Sequence, residues 1–142
     1  MITFEELAKV SDPIKGDDIK KTKFFLKKAN QFRAKCGIPM IPTSYLRSSE
    51  RQINIYRKKA ANREYPFLDG VFDIKKVPLS SKHLHCEACD FRDWDKRLAN
   101  WVKANVEWCA ENGFYFENPD CTDGWLHLQI TPPMSGKTIF NP

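Results

Sequence analysis

The sequence predicts an α+β domain in which a small antiparallel sheet is flanked by helices. Three observations carry that expectation. Apolar residues recur at three- and four-residue spacing in the first half of the chain, they alternate with polar residues in short runs of the second half, and one more helical stripe lies between those runs.

Asp17 and Asp18 are suited to cap a helix in which Phe25, Ala29, Phe32 and Cys36 follow at spacings of four, three and four. Gly37 and Pro39 stop it, so the first helix is expected over about 18–36. Ile41, Thr43 and Tyr45 then suit a short strand, which neighbouring prolines keep near a sheet edge. Ser48 or Ser49 can cap a second helix over about 50–60. From Asn62 to Pro78 there is Pro and Gly without periodicity, which reads as a long loop of the kind that often carries function.

"EACDF", residues 87–91, reads as a short buried strand, with Cys86, Ala88 and Asp90 toward one face and Glu87, Cys89 and Phe91 toward the other. Asp93 is expected to cap a helix through about Asn112, striped by Trp94, Leu98, Trp101 or Val102, Val106 and Cys109 and ended by Gly113. "FYFE" and "WLHLQI" follow as two strands around the turn-rich "NPDCTDG". Period two places Trp125, His127 and Gln129 on one face of the last strand.

With 142 residues the chain can bury one core, and one domain over 1–142 is expected. Hydrophobic content of 42% and a mean hydropathy of −0.55 describe a globular chain, and no apolar run approaches the roughly 20 residues of a membrane-spanning helix. The N-terminus lacks a basic region followed by an apolar stretch, so export by the general secretory route is not expected. Five cysteines, an odd number, argue against a disulfide framework. The net charge of +5 suits an anionic partner, whether nucleic acid, an acidic membrane surface or a cell-wall polymer. The basic residues concentrate in "KKTKFFLKKANQFRAK" and "RQINIYRKKAANR", where their plainer reading is the solvated face of two helices.

The chemistry is concentrated in "SSKHLHCEACDF", residues 80–91, which holds two of the three histidines and two of the five cysteines. His83 and Asp90, seven apart, lead into a buried strand, and His127 lies on another. Two imidazoles and a carboxylate can hold a zinc ion while leaving a fourth position for water, the open arrangement of a catalytic site. A structural zinc site built from Cys86, Cys89 and His83 or His85, completed by Cys121 or His127, is the competing arrangement. A redox Cys-x-x-Cys is the third, although that chemistry favours a helix N-terminus over a strand.

"SKHLHCEACD" and "WLHLQ" together resemble the paired motifs of the zinc D-Ala-D-Ala carboxypeptidases, dipeptidases and L-alanyl-D-glutamate endopeptidases of the hedgehog/DD-peptidase superfamily. The first motif runs Ser-x-His-x-x-Gly-x-Ala-x-Asp, matched by Ser81, His83, Ala88 and Asp90; the second is Trp-x-His, matched by Trp125 and His127. "TSYLRSSERQ" resembles the strand-to-helix segment that bears an arginine, so the resemblance covers roughly residues 40–142. The C-terminal "QITPPMSGKTIFNP" is similar to that of phage-encoded members.

The resemblance implies one zinc per chain, held by His83, Asp90 and His127, with Arg47 binding a substrate carboxylate or stabilising the oxyanion. Ser81 would fix the motif's loop, and Trp125 and Gln129 would orient His127 or line the cleft. Two departures stand out. Cys86 occupies the position of the family glycine, where a side chain would crowd the site or offer a competing thiolate. The general base, usually three residues before the last histidine, falls on Gly124, so the nearest carboxylates are Asp123, then Asp120 and Glu117, with Asp123 the first choice by proximity and Glu117 its main rival.

The function implied is hydrolysis of a peptide bond in the stem or cross-link of bacterial peptidoglycan by a phage lysin. Such a lysin would act from the host cytoplasm after release by a holin, or be carried with the virion. Neither membrane insertion nor an oligomer is required. From charge alone, the alternative is a non-catalytic, zinc-stabilised basic module that binds nucleic acid or cell-wall polymer, although no nucleic-acid recognition motif is evident.

Overall fold

The two longest runs of strand alternation meet at the centre of the sheet. The structure, a computed structural model, describes residues 1–142. In it β1 (Pro42–Ser44), β2 (Ala88–Arg92), β3 (Tyr115–Glu117), β4 (Trp125–Gln129) and β5 (Ile139–Phe140) form one sheet, in the order β1-β2-β4-β3-β5. β2 and β4 pair antiparallel along their full lengths, Ala88 opposite Gln129, Asp90 opposite His127 and Arg92 opposite Trp125. Cys89, Phe91, Leu126 and Leu128 alternate with these residues and are fully buried in the core.

The expected antiparallel sheet holds for four strands and fails for the fifth, since β5 runs parallel to β3. The chain reverses after β4 as in a hairpin, but β3 already occupies the place beside β4. The returning strand therefore adds outside β3 and shares its direction.

Helices cover the core face. α1 (Phe4–Lys9) lies outside the helices that periodicity predicts; at 6 residues it is too short to show one, and its signal is the capping box of Thr3 and Glu6. α2 (Asp17–Cys36) buries Thr22, Phe25, Ala29 and Phe32, and Gly37 ends it at φ 68°, a left-handed position that glycine adopts freely. Phe32 is the hub of the core, with ring centroids of Trp101, Phe114, Phe116 and Trp108 at 5.3 to 6.4 Å. α3 (Ser49–Ala61) begins at Ser48, whose hydroxyl accepts from Arg51 N at 3.1 Å. The loop that follows is pinned by the fully buried Phe67, which packs against Tyr56 and Phe72.

The single helix expected over 93–112 is two, α4 (Arg97–Ala104) and α5 (Val106–Glu111), broken at Asn105. The Asn105 side chain donates to Trp101 O at 2.8 Å, taking a carbonyl that a continuous helix would keep for a backbone N–H. Asp93 does act as a cap, from four residues ahead of α4. Its carboxylate, on a residue 3% exposed, accepts from Leu98 N and Ala99 N, both at 2.9 Å. Trp94 lies outside the stripe and is exposed. No helix is long and apolar enough to cross a membrane.

Asp93→Ala removes both acceptors from buried N–H groups. It should destabilise the fold by about 2 kcal/mol, read as a lower urea midpoint at unchanged slope; an unchanged midpoint would show that the corner before α4 is held by other contacts.

Candidate metal centre

The β2–β4 register sets Asp90 against His127 on the face of the sheet away from the core. His83 arrives from a single 3-10 turn, Lys82–His85, that leads into β2. Its carbonyl accepts from Arg47 N at 3.2 Å, which ties the turn to the segment after β1. The ligand atoms of His83, Asp90 and His127 lie within 4.8 Å of one another. Both imidazoles are almost wholly buried, His83 at 4% and His127 at 5% exposure.

Hydrogen bonds fix which ring nitrogens face inward. His83 Nδ1 lies 2.6 Å from Tyr45 O, a carbonyl that can only accept, so Nδ1 carries the proton and Nε2 turns to Asp90 Oδ1 at 3.3 Å. Gln129 Nε2 donates to Thr131 O at 2.9 Å, which leaves Gln129 Oε1 as the acceptor for His127 Nε2–H at 2.9 Å. His127 Nδ1 is thereby directed to Asp90 Oδ1 at 2.9 Å. With both imidazoles neutral, two nitrogen lone pairs and a carboxylate would converge on one point. Such a cluster demands a cation, supplied by ring protonation or by a metal ion.

The electrostatics agree. Burial alone would lower the pKa of His127, but its hydrogen bond to Asp90 and the nearby Glu117 carboxylate outweigh it and raise the pKa above the ordinary 6.5. Burial would raise Asp90, yet hydrogen bonds from His127 and His83 hold its carboxyl well below the usual carboxylate range.

The centre sits in a cleft of about 630 Å³. Arg47 lines it, with Nη2 3.9 Å from Asp90 Oδ2, and is held by Gln52 Oε1 and Ser44 Oγ. Glu117 follows Phe116 on β3, on the face that carries His127, and its Oε1 is 3.9 Å from His127 Nδ1. Ser81 lines the cleft at the start of the 3-10 turn, where its carbonyl accepts from Leu84 N. Trp125 forms part of the rim at 38% exposure. Gln129 orients His127.

Asp123, the first choice for a base, is a correction. Its side chain is fully exposed, 3.8 Å from Lys96 Nζ, and borders a different groove. Four residues of near-extended chain span about 13 Å, so proximity in sequence does not bring Asp123 to His127. Strand pairing brings Glu117 there instead.

Cys86 is a second correction. It takes φ 59° and ψ 29°, the left-handed conformation that explains a preference for glycine at this point. Its side chain packs into the core beside Thr22 and Tyr45, and Tyr45 OH donates to Cys86 O at 3.1 Å. The departure from glycine therefore strains the backbone without crowding the centre.

No cysteine joins the ligand group, all five are free, and burial pushes the Cys86 and Cys89 thiols up. This arrangement leaves no zinc knuckle. His85 lines a separate groove with Lys20 and Phe24. Sequence reasoning missed Tyr56 and Lys59, which line the cleft with Gln52; their spacing of four and three along α3 was the available signal.

Comparison with family models, with curated proteins and with solved structures finds no match.

Gln129→Leu should weaken binding of added Zn²⁺ about tenfold to a hundredfold, measured by competition with a chelating dye, while His83→Ala or His127→Ala should abolish it. Protons compete for His127 Nδ1, so affinity should fall as pH drops through the raised His127 pKa, with the loss beginning above pH 6.5. In chelator-treated protein the Asp90–His127 pair stabilises the fold fully below 6.5 and less as pH rises through the raised value. The thermal shift produced by Zn²⁺ should accordingly grow from mildly acidic to mildly alkaline pH.

Proposed function

We propose that this chain is a zinc-dependent peptidase that hydrolyses a peptide bond in the stem or cross-link of bacterial peptidoglycan. The observation that carries the reading is the convergence of His83 Nε2, Asp90 Oδ1 and His127 Nδ1, with both imidazole tautomers set by acceptors behind them. Two nitrogens and one carboxylate oxygen suit zinc better than calcium or magnesium, which favour all-oxygen shells. Three protein ligands at the wall of a cleft would also leave a position for water. The substrate class rests on the resemblance of residues 40–142 to the hedgehog/DD-peptidase superfamily.

When bound, zinc supplies Lewis acidity and makes water a usable nucleophile near neutral pH. The Glu117 carboxylate, 3.9 Å from His127 Nδ1, would accept the proton of the attacking water and return it to the leaving amine as the carbon–nitrogen bond breaks. Arg47 offers its guanidinium to a substrate carboxylate or to the oxygen that gains charge at the tetrahedral carbon. Lys59 and Lys82 add positive charge to the same cleft, which favours a peptide that carries carboxylates. Ser81 has no hydrogen-bonded base and serves the turn that carries His83. A chain of this kind fits deployment as a phage lysin, from the host cytoplasm or with the virion.

Metal content and release of free amines from purified peptidoglycan test the proposal on one set of samples. Wild type should hold one zinc and cleave; His127→Ala should lose both. Glu117→Gln should keep the zinc and lose turnover by about a hundredfold or more, whereas Asp123→Ala should remain active. A wild-type protein that takes up no zinc, or a zinc-loaded one that releases no amines, would overturn the peptidase reading.

A further inference from the structure

The face of the sheet that carries the metal centre continues beyond it. Arg92 and Trp125 stand opposite each other at the outer end of β2 and β4, two residues from Asp90 and from His127, so period two puts all four on one face. Trp94 comes next and is 76% exposed, the most exposed of the four tryptophans. It is held in place. The Arg92 guanidinium carbon lies 4.7 Å from the centroid of its ring. The indole also rests on Gly124, where an added Cβ would come within 3.0 Å of Trp94 Cδ1. The backbone beneath is fixed by Asp93 N donating to Gly124 O at 2.9 Å and by the two hydrogen bonds that the Asp93 carboxylate accepts from α4.

An indole that is exposed and already immobilised offers a large contact area with little conformational entropy left to lose on binding. We propose that this corner is a saccharide subsite, which takes a neutral N-acetylhexosamine chain across Trp94 and leads it past Trp125 to the cleft. A groove of about 340 Å³ borders Trp94, with Ile38 and Ile41 in its wall and Arg92, Asp95 and Arg97 at its edge. A pyranose presents an apolar C–H face to an indole, its acetyl methyl suits the isoleucines, and its hydroxyls suit the charged groups.

The charge at the groove selects the class of ligand. Two arginines are matched by the carboxylates of Asp93 and Asp95, so the groove favours a neutral polyhydroxylated chain over a polyanion such as nucleic acid. The peptidoglycan reading supplies only the biological source of such a chain; the groove and its fixed tryptophan stand apart from the metal centre.

The test uses the full chain and a soluble β-1,4-linked N-acetylglucosamine oligomer, followed by calorimetry and by tryptophan fluorescence. Wild type should bind, Trp94→Ala should bind about tenfold or more weakly, and Trp94→Phe should lie between them. All three should fold, with thermal midpoints within a few degrees of one another, because the side chain is largely exposed and its contacts with Arg92 and Gly124 are peripheral. Absence of wild-type binding, equal binding by Trp94→Ala, or displacement of the sugar by a single-stranded oligonucleotide would overturn the subsite. His127→Ala separates the two proposals, since it should retain full sugar binding while losing zinc. A protein that binds the oligomer through Trp94 but releases no amines refutes the peptidase alone, and one that cleaves but ignores the oligomer refutes the subsite alone.

Discussion

The register between β2 and β4 is the constraint on which the rest of the site depends. With Asp90 opposite His127, the two polar groups meet on one face while Cys89, Phe91, Leu126 and Leu128 fill the core on the other. A slip by one residue would turn the carboxylate and the imidazole into the core and the apolar set into the cleft. Burial of those apolar side chains therefore fixes the chemistry as firmly as it fixes the fold. The core helices enforce this register from behind, through α2 and the aromatic cluster centred on Phe32.

Tyr45 joins that core to the centre. Its hydroxyl is buried between Thr22 Oγ1 and Cys86 O, at 3.1 Å from each, and its carbonyl accepts from His83 Nδ1. One residue thus spans from α2 to a candidate ligand. Gln129 does the equivalent for His127, relaying the direction of Thr131 O through an amide. Each imidazole is oriented by a backbone carbonyl, directly or at one remove, so neither ring depends on the cation to find its orientation. Preorganisation of this kind lets a site bind metal without paying to order its ligands.

The cleft and the corner beyond it divide the open sheet face by chemistry. Around the centre are buried histidines, a carboxylate with its pKa held low and the cations Arg47, Lys59 and Lys82. Outward lie Trp125, Arg92 and Trp94, where aromatic surface replaces buried charge. On the two proposals above, a substrate with a charged peptide and a neutral saccharide part would meet these surfaces along one line. Asp93, buried and fully engaged, holds the turn at which the two regions join.

Several features were legible in the residues themselves. The periodicity of Phe25, Ala29, Phe32 and Cys36 marked α2, the alternation in "WLHLQ" marked β4 and its inner face, and His83, Asp90 and His127 stood out as a donor set. These are signals of period and composition, which local chain geometry fixes without knowledge of what packs where. Pairing decided the rest. Whether Glu117 or Asp123 lies near His127 depends on β3 lying beside β4, because distance along an extended strand grows by about 3.3 Å per residue while neighbouring strands are about 4.8 Å apart. The parallel β5 and the inward turn of Cys86 likewise follow from contacts between segments distant in sequence, whereas the break at Asn105 is local, made by its own side chain at Trp101 O. The sequence by itself determined which residues could act as ligands and which faces they share; only the tertiary structure decided which of them meet, because strand neighbours are chosen by burial of the opposite face.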